Sequence, residues 1–231
     1  DNPAITYGLR GLAYYELWIY GPETDLHSGM FGGAVHNPAI VLCQLIAGMH
    51  EADGKVGLPL FYENVEEISE EERLEINQLP YDDQELLASA GNPPSLFGEF
   101  GYSSMERVSV RPSLDVNGLY AGFIGSGSKT VLPSKAMAKL SMRLVPNQDP
   151  AEMSTGLRKY LSDNAPDTVR WDLRELAHAS PVVVNRESIG MRAAVDAVES
   201  VFGVKPVFMR SGGTVPVVGM LSDMLGIETV M

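Results

Sequence analysis

Four histidines, His27, His36, His50 and His178, are the first candidates for chemistry in this chain. No two stand four residues apart on a helix, and none sits in an H-x-D or H-E-x-x-H neighbourhood. A complete metal site is therefore not expected among them. The single cysteine, Cys43, excludes an internal disulfide and any CxxC zinc site. No GxSxG elbow is present: Gly125-Ser126-Gly127-Ser128 leads into Lys129-Thr130, not into a strand-to-helix turn, so a serine hydrolase is not indicated. The glycine pairs elsewhere lack the lysine and helix that a phosphate loop needs.

Three segments remain. His27 lies in Asp25-Leu26-His27-Ser28-Gly29-Met30-Phe31-Gly32-Gly33. Glycines there let the backbone approach a ligand or a second chain closely. His27 could equally serve as a turn or cap residue, and the local sequence leaves both open. Arg143 falls on the polar face of an alternating segment, where a guanidinium is either simply solvated or presented to an anion. Ser211-Gly212-Gly213-Thr214 joins an expected strand to an expected helix. Its N–H groups could form an anion pocket or only a capped tight turn.

The elements that must position these residues can be read from periodicity. Leu12 to Tyr20 is rich in aromatic and branched residues and predicts a strand. Asn37 caps, and Pro38 opens, an apolar helix through His50. Ser113 to Phe123 predicts a strand. In Lys135 to Val145, Ala136, Ala138, Leu140, Met142 and Leu144 alternate with Lys135, Lys139, Ser141 and Arg143, which predicts a half-buried strand. Asp149-Pro150 starts a helix to about Asn164, and Val169 to Arg174 alternates again. A βα…ββαβ order of this kind gives a four-stranded antiparallel sheet with two helices on one face. From about Ser180 the pattern becomes alternating β and α. Ser188 caps a helix ended by Gly203, Lys205 to Arg210 is a strand, Gly213 to Leu225 a helix, and Ile227 to Met231 a strand. This predicts a piece of a parallel α/β layer. The chain opens at Asp1 and closes on that unaccompanied strand, so a fragment of a longer protein is expected.

Charge is distributed unevenly. The 231 residues carry 17 Lys and Arg against 30 Asp and Glu, a net charge of −13. Nucleic acid and anionic membrane surfaces are excluded as partners on that ground. Fourteen of the acidic residues fall between 51 and 106, opposed there by Lys55 and Arg73. Ser69 to Glu72 and Ser103 to Glu106 have capping-box spacing, and Asp82 or Asp83 could cap a helix between them. The acids follow helix caps and no D-x-D-x-D-G loop occurs, so a solvated helical insertion is expected here, not a cation site. No apolar run reaches a membrane span and the N-terminus lacks a signal-peptide layout, which predicts a cytoplasmic, non-membrane protein.

Together, DLHSGMFGGAVHNPA, GSGSKTVLPSKAMAKLSMRLVPNQDP and RSGGTVPVV resemble, in order and spacing, the dinuclear metal dipeptidases. The resemblance is greatest to the carnosine dipeptidase-like branch of the aminoacylase/carboxypeptidase G2 family, and it spans essentially the whole chain. It implies an α+β architecture: a ferredoxin-like βαββαβ lid, residues 1–178, with a helical insertion at about 54–111. Residues 179–231 would be a piece of the α/β catalytic domain. It implies two zinc or manganese ions in the intact enzyme, with the ligands outside this chain and none bound within it. It implies a homodimer formed through the lid, and a small peptide as substrate. His27 would act catalytically across the dimer interface, with Thr130 beside it. Arg143, Thr214 and the Ser211-Gly212-Gly213 segment would meet the substrate carboxylate. The family usually has an acidic residue at the place of Ser211. Two rival functions share these features: a non-catalytic ferredoxin-like self-association module, and an N-acyl amino acid deacylase.

Overall fold

The computed structural model describes residues 3–79 and 81–231; Asp1, Asn2 and Pro80 lie outside them. In chain order the elements are β1 (Ala4–Leu9), β2 (Gly11–Tyr20), β3 (Leu26–His27), α1 (Ser28–Phe31) and α2 (Pro38–Gly48). Next come α3 (Glu70–Asn77), α4 (Asp83–Ser89), α5 (Ser104–Ser109), β4 (Ser113–Ala121), β5 (Val131–Leu132) and β6 (Lys135–Leu144). The rest are α6 (Pro150–Asn164), β7 (Arg170–Ala179), β8 (Val182–Val183), α7 (Ile189–Phe202), β9 (Val207–Ser211) and α8 (Pro216–Leu225).

The larger sheet has the order β4-β6-β2-β7, every neighbour antiparallel, which is the ferredoxin-like arrangement. Alternation decides its faces. Ala13, Tyr15, Leu17 and Ile19 of β2, with Ala136, Ala138, Leu140, Met142 and Leu144 of β6, point one way and are buried. On them lie α2, through Val41, Leu42 and Leu45, and α6, through Met153, Leu157, Tyr160 and Leu161. Each large aliphatic side chain closed off in this way contributes about 1.5–3 kcal/mol. Both helices start as their sequences require: Asn37 Oδ1 accepts from the Ala39 N–H and Asp149 Oδ1 from the Ala151 N–H, each followed by proline. Gly156 lets α6 sit against the 58–61 segment, where a Cβ would run into the Pro59 carbonyl.

The insertion contains three short helices capped by Ser69, Asp82 and Ser103. The Ser103–Glu106 capping box is complete. At Ser69 only half of the expected box forms: its Oγ accepts from the Glu72 N–H, but the Glu72 carboxylate is used elsewhere. It accepts from the Tyr7 hydroxyl at 2.5 Å and pairs with Arg210 Nη2 at 2.6 Å. Glu75 holds Arg186 through two hydrogen bonds of 2.7 and 2.9 Å. Glu99 and Arg111, both buried, pair bidentately at 2.7 and 2.8 Å, with Arg111 stacked 4.3 Å over the Tyr102 ring. The expectation of a merely solvated acidic run is thus corrected. Glu70 and Glu71 do face solvent, but Glu72 and Glu75 tie the insertion to the smaller sheet.

That smaller sheet has the order β8-β1-β9, with β1 antiparallel to β8 and parallel to β9. Its core is Ile5, Tyr7, Val184 and Met191. Residues 4–9, expected within the 1–178 lid and given no strand there, instead supply its central strand. Two backbone crossings join the sheets, at Arg10 and at Ser180–Pro181, and they touch. A Cβ on Gly11 would lie 2.6 Å from the Ala179 carbonyl oxygen and 2.7 Å from the Pro181 nitrogen. The strand expected at Ile227–Met231 is absent: the Thr6 N–H donates to the Met231 carbonyl, and one bond does not make a ladder.

Glutamine at Glu72 should lower stability by about 2 kcal/mol, since the part-buried Arg210 guanidinium loses its counter-charge although the amide oxygen can still accept. At the more exposed Glu75 the loss should be about 1 kcal/mol, and at Glu70 or Glu71 within about 0.5 kcal/mol of zero. Urea midpoints check this ranking. The Arg186 guanidinium holds the Glu75 carboxyl below the ordinary value of 4.5. Its contribution is therefore complete above the ordinary value and is lost as pH falls through the depressed one. Wild-type and Glu75→Gln stabilities should converge on acidification below about pH 4.5.

Candidate functional site

The residues singled out from the sequence gather into two clusters. The first is built on a two-stranded ribbon in which β3 pairs with β5, Leu26 opposite Leu132 and His27 opposite Val131. Buried Leu132 anchors it, and Asp25 ties its base by accepting from the Ser134 N–H at 2.8 Å. That hydrogen bond holds the Asp25 carboxyl below its usual range. His27 caps the single turn α1, its Nδ1 accepting from the Gly29 N–H at 3.0 Å. This fixes the neutral tautomer, because a nitrogen that accepts cannot also carry the proton. The proton therefore sits on Nε2, which lies 3.2 Å from Thr130 Oγ1. His27 and Thr130 are both exposed, so the Nε2–H donates to Thr130 Oγ1 at the surface and the Thr130 hydroxyl proton is left to solvent. The cap reading and the ligand reading of His27 are compatible: one ring nitrogen shapes the turn and the other is directed outward. Met30, 77% exposed, stands next to them on the same loop.

The second cluster joins the two sheets. Arg143 sits in β6 opposite Leu12 of β2 and Ser113 of β4. Its Nη1 donates to Thr214 Oγ1 at 2.8 Å. The Thr214 hydroxyl in turn lies 2.7 Å from the Arg10 carbonyl oxygen and 3.1 Å from that of Gly11. The structure thus brings Arg143 and Thr214 together. It does not form an anion pocket from the helix start at Gly213. The Gly213 N–H is taken by Ser211 Oγ at 3.2 Å, and α8 begins only at Pro216, with no side-chain cap from Val215. A proline fixed for the first helical position sets that later start.

One residue of this cluster has no functional motif around it in the sequence. Arg10 donates from Nε to the Gly212 carbonyl at 3.1 Å, and from Nη1 to the carbonyls of Arg111 at 3.2 Å and Arg107 at 3.4 Å. Burial, and then the nearby Arg143 charge, lower its pKa to about 10. The only hint in the sequence is the Gly8-Leu9-Arg10-Gly11 interruption, which separates two strand-like runs.

The clusters lie at opposite ends of β2. Arg143 is in register with Leu12, and Lys135, next to the ribbon, with Tyr20. Eight residues of strand span about 26 Å, whereas an extended dipeptide reaches only about 7 Å. One small peptide cannot touch both clusters of a single chain.

Two of the other histidines are engaged by neighbouring groups, and His178 lies in β7 opposite Ala13. His36 Nδ1 lies 2.7 Å from Thr168 Oγ1, and the His50 ring nitrogens face the carbonyls of Ile46 and Leu114. Among the described residues no three His, Cys, Asp or Glu side chains converge on a possible metal position. No described helix is long and apolar enough to cross a membrane.

Comparison with known proteins gives a consistent outcome. The family profile described as the peptidase dimerisation domain matches residues 7–169. Over its whole length the chain is 34% identical to the Cys-Gly metallodipeptidase DUG1 of Saccharomyces cerevisiae, covering 48% of it. It is 29% identical to the human Beta-Ala-His dipeptidase, again over the whole chain and 46% of that protein. Among solved structures, an M20 family metallo-carboxypeptidase from Sulfolobus solfataricus superposes with a TM-score of 0.85 at 33% identity, covering 99% of this chain and 52% of that one. The chain spans about half the length of the curated relatives it matches.

Thr214→Val keeps the shape and removes the hydroxyl, leaving a hinge carbonyl without its donor and Arg143 without its acceptor. A loss of about 1–2 kcal/mol is expected in urea unfolding. Thr214→Ser should restore most of it, since only the hydroxyl is needed.

Proposed function

This chain belongs to the peptidase dimerisation domain family, and on that premise we propose that it is the lid portion, with an adjoining piece of the catalytic domain, of a dipeptidase-type metallopeptidase acting on small peptides. Residues 10–178 would form the lid, and residues 4–9 with 179–231 part of the catalytic α/β layer. The protein would work as a cytoplasmic homodimer. The β4 edge of the larger sheet offers an apolar surface for self-association, with Leu119 59%, Phe123 46% and Ile124 79% exposed.

The observation that carries this reading is the separation of the clusters along β2. If His27 and Arg143 serve one small substrate, they must come from different chains. In a two-fold dimer each lid would send His27 and Thr130 into the partner's site, while Arg143, oriented by Thr214, holds the substrate carboxylate within its own chain. An arginine suits a carboxylate through paired N–H donors. The His27 Nε2–H, turned from Thr130 to the substrate, would donate to the carbonyl oxygen as negative charge develops there, which strengthens the bond in the transition state. The described residues do not fit a metal ion, their candidate donors being dispersed. We place the two zinc or manganese ions of the intact enzyme in parts of the longer protein.

Mixing His27→Ala subunits with Arg143→Ala subunits of the intact protein tests the arrangement. Each variant alone should be impaired, His27→Ala by about 10²–10³ in turnover and Arg143→Ala chiefly through a raised KM. In the mixed dimer one site carries both defects and the other neither, so up to about half of the wild-type activity per mixed dimer should return. Failure to recover despite proven subunit exchange would place His27 in its own chain's site. The 231-residue chain alone should retain no stoichiometric zinc after dialysis against a weak chelator and should cleave no dipeptide. Retained zinc would contradict the placement of the ligands.

A further inference from the structure

Arg10 stands at the first crossing between the sheets, with a guanidinium held by backbone carbonyls alone. Among the described residues neither Arg10 nor Arg143 has a carboxylate within ion-pair distance. Two guanidinium charges close enough to disfavour one another are thus left without an anion, in a chain whose net charge is −13. The Asp115 carboxylate acts on Arg10 in the sense opposite to Arg143.

Residue 10 also grips the Ser211–Thr214 segment at three points, two through its main chain and one through the arginine Nε. Its N–H donates to the Ser211 carbonyl at 3.3 Å, its Nε to the Gly212 carbonyl at 3.1 Å, and its own carbonyl accepts the Thr214 hydroxyl at 2.7 Å. Gly212 is enclosed so closely that a Cβ there would meet the Val108 carbonyl and stand 2.9 Å from Arg10 Nη2. A hydroxyl has one proton. Once Thr214 gives it to the Arg10 carbonyl, its lone pairs are left to accept from Arg143 Nη1. The direction in which the Arg143 fork points therefore depends on where Arg10 holds Thr214.

We infer that the Arg10 side chain is a positioning residue for carboxylate recognition: by tying the Gly212 carbonyl to the carbonyls of Arg107 and Arg111 it fixes the segment that carries Thr214, and Thr214 orients the Arg143 guanidinium. The ligand group is the C-terminal carboxylate of a small peptide, and the inference rests on the reading of Arg143 and Thr214 given above. Lysine cannot replace Arg10, because one ammonium lacks the planar fork that reaches carbonyls of two separate segments.

The test uses the intact protein with two substrates, a dipeptide and the same dipeptide as its C-terminal amide. Arg10→Lys keeps the charge and removes the fork. It should raise KM for the free dipeptide by about tenfold with kcat nearly unchanged, leave the already weak amide substrate unaffected, and add little to Arg143→Lys. Equal losses on both substrates, or a fall in kcat at constant KM, would show that Arg10 serves the fold alone and overturn the inference. So would loss of the cooperative melting transition in both Arg10→Lys and Arg10→Met. If Arg143→Lys itself fails to distinguish acid from amide, the carboxylate reading falls, and the Arg10 inference with it. If Arg143→Lys distinguishes them and Arg10→Lys does not, only the Arg10 inference falls.

Discussion

Ten consecutive residue pairs between β2 and β6, from Gly11–Leu144 to Tyr20–Lys135, set where everything else can be. Side chains on a strand alternate, so a slip of β6 by one residue against β2 would exchange the faces of β6. Leu140 and Met142, now fully buried, would turn to solvent, and Lys139 and Arg143 would enter the core. Burying an unpaired charge costs several kcal/mol, so the register is strongly specified. This ladder also fixes the length of the sheet, and hence the distance between its ends. The His27–Thr130 pair and the Arg143–Thr214 pair are held apart by strand geometry, and no side-chain rearrangement brings them onto one small molecule.

Around this ladder the acidic insertion has a mechanical part. The smaller sheet is joined to the larger by only two backbone crossings, at Arg10 and at Ser180–Pro181. Two chains in contact at one place make a hinge. The ion pairs Glu72–Arg210 and Glu75–Arg186 cross from the insertion to the smaller sheet away from that hinge. Arg186 is further sandwiched by the insertion's carboxylate and the ring of Phe208, 4.3 Å from its guanidinium. A third attachment off the axis is what limits rotation about two adjacent ones. The negative charge that reads as solubilising in the sequence is thus partly used to lock two sheets.

What the sequence makes legible are the elements whose signals are local and repeated. The alternation of β6, the proline-opened helices α2 and α6, the Ser103 capping box and the Gly203 cap, with φ of +74°, all appear as their patterns require. His27 with Thr130 and Arg143 with Thr214 were legible through the family resemblance, and the structure pairs them. The misses share one cause: their partners are distant. Two-residue strands such as β3 and β5 have no period to read. β1 is six residues long and earns its strand state from β8 and β9, more than 170 residues away. The Ser69 box is half formed because Arg210 outcompetes a neighbouring N–H for Glu72, and nothing near Glu72 in the sequence announces Arg210. Arg10 belongs to the same class, since its partners are backbone carbonyls about 100 and 202 residues away.

The proton count at Thr214 carries one further consequence for how the second cluster can work. Its hydroxyl faces two carbonyl acceptors of the crossing and one guanidinium donor. It can satisfy one carbonyl by donation and Arg143 by acceptance, and is then complete as a donor. A carboxylate approaching this corner offers only acceptors, so it cannot bond Thr214 without taking the proton from the Arg10 carbonyl. That exchange would leave a part-buried carbonyl at the hinge without its partner, a cost of about 1–3 kcal/mol. The cheaper arrangement leaves Thr214 on the hinge and gives the carboxylate the remaining N–H groups of Arg143. Thr214 then acts on a bound carboxylate through the orientation of Arg143. Its attachment to the crossing makes that orientation depend on the angle between the two sheets.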